Sequence, residues 1–136
     1  MNMLIEENGL QDQIVCDSAG TYGGHAGELA DRRMRKHASK RGIELTSRSR
    51  QIRPSDLNEF DYIIAMDQSN YNNILRLVTD KNQIHKIVKM TDYCSRFDYN
   101  EVPDPYYGGS KGFELVLDLL EDACQGFLDK VRDELT

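Results

Sequence analysis

"FDYIIAMDQSN", residues 60–70, sets the pattern from which the rest of the chain can be read. Residues 61–66 are a short apolar run of the kind that fills a buried strand. Four polar residues follow. Asp67 or Ser69 can cap a helix running through about Val78, which would bury Leu75 and Val78 with Ile74 or Leu77. A strand passing through a polar turn into a helix is the repeating unit of an α/β domain.

The same alternation recurs on both sides. Upstream, "QIVCD" (13–17) is a second strand candidate, followed by the small-residue loop "SAGTYGGHAG". Residues 28–41 predict a helix with Leu29, Ala30, Met34 and Ala38 on one side and Gly42 at its end. Pro54, Ser55, Asp56 and Leu57 form a helix start. Downstream, "HKIVKM" (85–90) is the third strand candidate. Residues 1–8 read as the end of a helix, with Met1, Leu4 and Ile5 apolar and Gly9 placed to stop it. The last helix has the clearest signal. Phe113, Val116, Leu117, Leu120, Cys124, Phe127, Leu128 and Val131 recur at three- and four-residue steps. The expectation is a three-layer α/β domain spanning residues 1–136, a small and mostly parallel sheet flanked by helices. In such sheets the ligand crevice lies beyond the carboxyl ends of the strands. The loops "DSAGTYGGH", "MDQSN" and "TDYCSRFDYNEVPDPYYGG" should therefore share one edge.

The composition narrows the partners. A net charge of −6 and a pI near 5.0 argue against a general nucleic-acid binder. No apolar run approaches membrane-spanning length, and the acidic first residues do not resemble a signal peptide, so the cytoplasm is the expected location. Cys16, Cys94 and Cys124 are an odd and widely spaced set, which disfavours a disulfide framework. With His25, His37 and His85 they offer no ligand-like short spacing, so no metal site is expected.

"EVPDPYYGG" (101–109) is the most unusual loop. Pro103 and Pro105 stiffen the backbone on either side of Asp104, and Gly108 and Gly109 let the chain turn. Asp104 is thus presented on a rigid loop beside Tyr106 and Tyr107. Taken alone, the stretch reads as a surface turn.

Together with "CDSAGT" (16–21), "SRQI" (49–52) and "FDYIIAMDQSN" (60–70), "PDPYYGG" followed by "FELV" resembles the low-molecular-weight protein tyrosine phosphatases. The motifs stand in that family's order over essentially the whole chain. The resemblance implies a small α/β fold with a four-stranded parallel sheet. It also implies two-step hydrolysis of phosphotyrosine, in a protein or a small aryl phosphate, without metal or organic cofactor. In that family a thiolate at the base of a C-x5-R loop attacks phosphorus, and an Asp in the D-P loop protonates the departing phenolate. By this resemblance Asp104 is the general acid, and Tyr106 and Tyr107 flank the substrate ring. Ser18 and Asp67 support the phosphate loop, and His25 lies at the cleft mouth.

The nucleophile of that pattern is absent from these residues. Six positions beyond Cys16, Cys94 and Cys124 stand Tyr22, Asn100 and Lys130, none of them Arg. Cys16 reads as a core thiol, Cys124 as buried on the apolar stripe, and Cys94 as the most exposed of the three. The sequence thus resembles a family member without its first strand and phosphate loop. It is expected to be inactive as given, and either weakly stable or self-associating through an incomplete sheet. The alternatives are a non-catalytic interaction protein on the same scaffold and a protein related to the arsenate reductases. "DRRMRKHASKRG" gathers basic residues at 32, 33, 35, 36, 40 and 41. A solvated helix face accounts for them, with a docking surface for an acidic or phosphorylated partner as the other reading.

Overall fold

The computed structural model describes residues 1–21, 26–105 and 109–135. Among these residues are five helices and two strands, in the order α1 (Asn2–Glu7), α2 (Arg32–Ser39), α3 (Asp56–Glu59), β1 (Ile63–Ala65), α4 (Gln68–Leu75), β2 (Ile87–Lys89) and α5 (Gly109–Leu135). Two 3-10 turns, Lys81–Lys86 and Met90–Tyr93, bracket β2. β1 and β2 pair in parallel, with Ile63 opposite Ile87 and Ala65 opposite Lys89.

The pleat of β1 divides the interior into two cores. Ile63 and Ala65 join Leu57, Ile74 and Ile87 on the face covered by α3 and α4. Tyr62 and Ile64 point the other way, towards Met90, Ala123 and Phe127 beneath α5. Helices therefore lie on both faces of a parallel sheet, the expected three-layer arrangement. α5 packs most extensively against the turn Met90–Tyr93, where Tyr93 and Tyr62 meet the Phe127 ring edge-on at 5.0 and 5.2 Å. The turn that ends α2 is fixed to the same helix by Arg41, which reaches Glu114, Asp118 and Glu121.

Two sequence expectations are corrected. Residues 13–17 form no strand, because no neighbouring strand among the described residues supplies ladder hydrogen bonds, and Val15 is 82% exposed. The helix expected over 28–41 begins only at Arg32. The Asp31 carboxylate accepts the Arg33 N–H at 2.8 Å and caps it there, while Leu29 is drawn into an antiparallel bridge with Arg48. Asp67, not Ser69, caps α4, accepting the Asn70 N–H at 2.7 Å. Single turns carry the chain on to Val78 after Leu75.

One buried group stands out. Thr91 is 7% exposed, and its hydroxyl has no partner among the described residues. Thr91→Val removes that unsatisfied oxygen at nearly constant shape, so it should leave stability unchanged or raise it by about 1 kcal/mol. A urea midpoint that falls clearly below wild type would contradict this.

Candidate active site

The loop carrying Asp104 is stitched to the polar turn at the end of β1. The Val102 N–H donates to the Met66 carbonyl at 2.8 Å, and the Gln68 N–H donates to Glu101 Oε1 at 3.1 Å. Two loops distant in sequence thereby meet at the carboxyl edge of the sheet, where the strand polarity places a crevice. Asp104 is exposed and borders a cavity of about 310 Å³. Pro105 and Phe113 continue its wall, and Ala30, Asp31, Arg33 and Met34 close it from the start of α2. Phe113 is buried, stacked on His37 at 5.4 Å, with the Arg33 guanidinium 5.1 Å from its ring centre. Gly112 lets α5 come under the loop, since a Cβ there would lie 2.8 Å from the Pro105 carbonyl oxygen.

The "CDSAGT" and "SRQI" motifs are joined by backbone bonds. The Gly20 N–H donates to Arg50 O at 2.8 Å, and the Ile52 N–H donates to Gly20 O at 2.9 Å. Arg50 forks onto the buried carboxylate of Asp56 at 2.9 and 3.1 Å and also reaches Asp17 at 3.1 Å. The Arg50 hydrogen bonds hold the Asp56 carboxyl below the usual range, against the opposing effect of burial. Ser18 is exposed, with its N–H donating to Asp17 Oδ1 at 2.8 Å. No hydrogen bond joins Ser18 to Asp67, whose carboxylate caps α4. His25, Tyr106 and Tyr107 lie outside the described residues.

Cys16 and Cys94 exchange their expected exposure. Cys16 is exposed, because the segment around it pairs with no strand. Cys94 is half-buried against Ala123 and Phe127, with its Sγ 3.8 Å from the Leu119 carbonyl. Cys124 is half-buried on α5. Desolvation raises the half-buried Cys94 and Cys124 thiols above their ordinary value, and the Asp122 charge raises Cys94 further. At Cys16 and Cys124 the N-terminal ammonium works against such a rise without overcoming it, so neither is held as a thiolate. No three His, Cys, Asp or Glu side chains among the described residues converge to hold a metal ion.

Sequence reasoning missed Arg50, Asp56 and Asp122. Asp122 sits within the apolar stripe of α5, 4% exposed, and grips the loop at Ser95 and Arg96. An acid embedded in an apolar helical face was the available signal, since a buried carboxylate needs donors close by.

The whole chain, residues 1–136, matches the family described as low molecular weight phosphotyrosine protein phosphatase. The fold is that of solved protein tyrosine phosphatases. The Entamoeba histolytica enzyme, crystallised with Hepes in its active site, superposes with a TM-score of 0.93 at 44% identity, over 99% of this chain and 86% of that one. A Synechocystis sp. protein named for the low molecular weight protein-tyrosine-phosphatases is 50% identical over 135 residues, covering 99% of this chain and 86% of that protein. The low molecular weight protein-tyrosine-phosphatase YfkJ of Bacillus subtilis is 36% identical over 132 residues, covering 96% of this chain and 83% of that protein. The chain belongs to the low molecular weight phosphotyrosine protein phosphatase family.

Proposed function

We propose that this chain supplies the acid side of a phosphotyrosine phosphatase site, with Asp104 as the general acid. The carrying observation is the pair of hydrogen bonds that ties the Asp104 loop to the turn after β1, with Asp104 exposed on the cavity rim. A phenolate leaves as a base of pKa about 10, so a positioned carboxylic acid that protonates it lowers the barrier. The same carboxylate then takes a proton from the water that cleaves the cysteinyl-phosphate. By the family resemblance, the role of walling the phenyl ring falls to Tyr106 and Tyr107, that of a substrate-binding group to His25, and that of supporting a phosphate loop to Ser18 and Asp67. The substrate is a phosphotyrosine-containing protein or a small aryl phosphate met in the cytoplasm. No helix among the described residues is long and apolar enough to cross a membrane.

Catalysis needs a thiolate and a phosphate-gripping Arg, and no cysteine in the sequence has Arg six positions on. We therefore expect no turnover of p-nitrophenyl phosphate by these 136 residues alone; measurable turnover that survives purification would overturn this. In a form that also carries a C-x5-R loop, Asp104→Asn should lower kcat by about 10²–10⁴ and leave inhibition by inorganic phosphate unchanged. Unchanged kcat would refute the acid assignment. Self-association, on this reading, runs through the unpaired segment 13–17.

A further inference from the structure

α2 carries a row of cations that its own packing does not use. Arg35 donates to the Ala30 carbonyl at 3.0 Å, Arg41 is held by three carboxylates of α5, and Arg33 pairs with Asp31. Arg32, Lys36 and the C-cap residue Lys40 are exposed, and their side chains have no hydrogen-bond or ion-pair partner among the described residues. They recur at i, i+4 and i+8, so they form one stripe about 12 Å long. The stripe lies away from His37 and Ala38, which face the interior, and Arg33, Lys36 and Lys40 also stand at i, i+3 and i+7. The stripe thus starts beside the rim of the Asp104 cavity, at Arg32, whose chain neighbours Asp31 and Arg33 both line it, and leads outward from there.

On a chain of net charge −6, three neighbouring cations without a carboxylate partner leave a local positive field at the edge of the cleft. We infer that this stripe is a docking track for an acidic segment of the phosphoprotein substrate, next in sequence to the phosphotyrosine. The inference rests on the phosphatase reading and names the substrate class that the site would select. Cations one helical step apart are spaced by about 6 Å, close to the ~6.6 Å between same-side residues of an extended peptide. The matching segment is therefore extended, with Asp or Glu at alternate positions. A membrane is a poorer fit, because anionic lipid surfaces are held by clusters of roughly four to eight basic residues.

The test uses fluorescence anisotropy with labelled peptides. One carries phosphotyrosine followed by three alternate acids, one has those acids replaced by amides, and one is acidic but unphosphorylated. They are titrated with wild type, with the triple variant Arg32→Gln, Lys36→Gln, Lys40→Gln, and with Lys81→Gln, an exposed lysine away from α2. Glutamine keeps helix propensity, and circular dichroism checks that α2 persists. At an ionic strength of about 0.01 M, wild type and Lys81→Gln should bind the acidic phosphopeptide about tenfold more tightly than its amide counterpart. The triple variant should lose that preference, and salt of about 0.15 M should shrink it. The unphosphorylated acidic peptide should show the same dependence on the stripe, which separates this inference from the assignment of Asp104. Equal affinities for acidic and amide peptides in wild type, or a preference that survives in the triple variant, would overturn it. So would stripe-dependent binding to phosphatidylserine vesicles that exceeds binding to the acidic peptides.

Discussion

Gly126→Ala should destabilise the fold by about 3 kcal/mol, although it replaces the second-poorest helix former by the best one. In an exposed helix interior the same change adds roughly 1 kcal/mol of stability, so the sign itself is the result. Gly126 lies where α5 crosses the turn Met90–Tyr93, and a Cβ there would fall inside the van der Waals envelope of the Tyr93 carbonyl oxygen and 3.2 Å from its carbon. The obstacle is backbone, which cannot rotate aside. Tyr93 is in turn held edge-on against Phe127, one residue along the same helix. Relief requires α5 to separate from the turn, which opens the core around Met90 and Ala123. The transition in a urea or thermal melt should fall by roughly 10 °C or the equivalent in denaturant. Gly112→Ala offers the comparison within one helix. Its clash is with the Pro105 carbonyl oxygen at 2.8 Å, a much shallower overlap than the one at Tyr93, so its cost should be smaller. A Gly126→Ala protein as stable as wild type would refute the packing described for α5.

The apolar periodicities carried the layers of this fold, and the short-range polar chemistry did not follow from them. β1 and β2 lie within the apolar runs 61–66 and 85–90, and α5 lies where three- and four-residue recurrence places it, because burial dictates both pattern and position. The strand expected at 13–17 fails because strand formation is a property of pairs. "QIVCD" is apolar enough, but no strand among the described residues pairs with it. α2 starts late because the Asp31 carboxylate captures the Arg33 N–H, a competition invisible in a hydrophobic pattern. At the site, the resemblance named Asp104 and Asp67. It could not disclose that Glu101 and Val102 tether the loop between them, or that Arg50 bridges Asp17 to Asp56. Such contacts join residues 6 to 36 positions apart through the fold, and only the chain path brings them together.

Asp122→Ala should cost about 3 kcal/mol, nearly as much as the Gly126 change, by an opposite route: it removes a partner and creates no clash. The Asp122 carboxylate accepts the Ser95 N–H at 3.0 and 3.1 Å, the Ser95 hydroxyl at 3.0 Å and the Arg96 N–H at 2.8 Å. Truncation leaves two backbone donors without their acceptor at a position where the residue is 4% exposed. Burial alone would raise the Asp122 carboxyl, but these donors outweigh it and hold the group below its ordinary value. The sign for pH follows from that direction. A depressed folded-state pKa contributes stability that is full above the unfolded value near 3.9 and lost as pH falls through the folded value. Wild type should therefore lose stability on acidification more steeply than Asp122→Ala, and the two curves should converge below about pH 4. Asp122→Asn, which keeps one acceptor oxygen, should fall between them at neutral pH. The local signature separates this from a general loss of packing. Amide exchange at Ser95 and Arg96 should quicken well beyond that of β1 and β2, because the carboxylate pins the start of the segment that leads to Asp104. Parallel stability curves for wild type and Asp122→Ala between pH 7 and about pH 3 would show that the ionised carboxylate is not what holds that segment down.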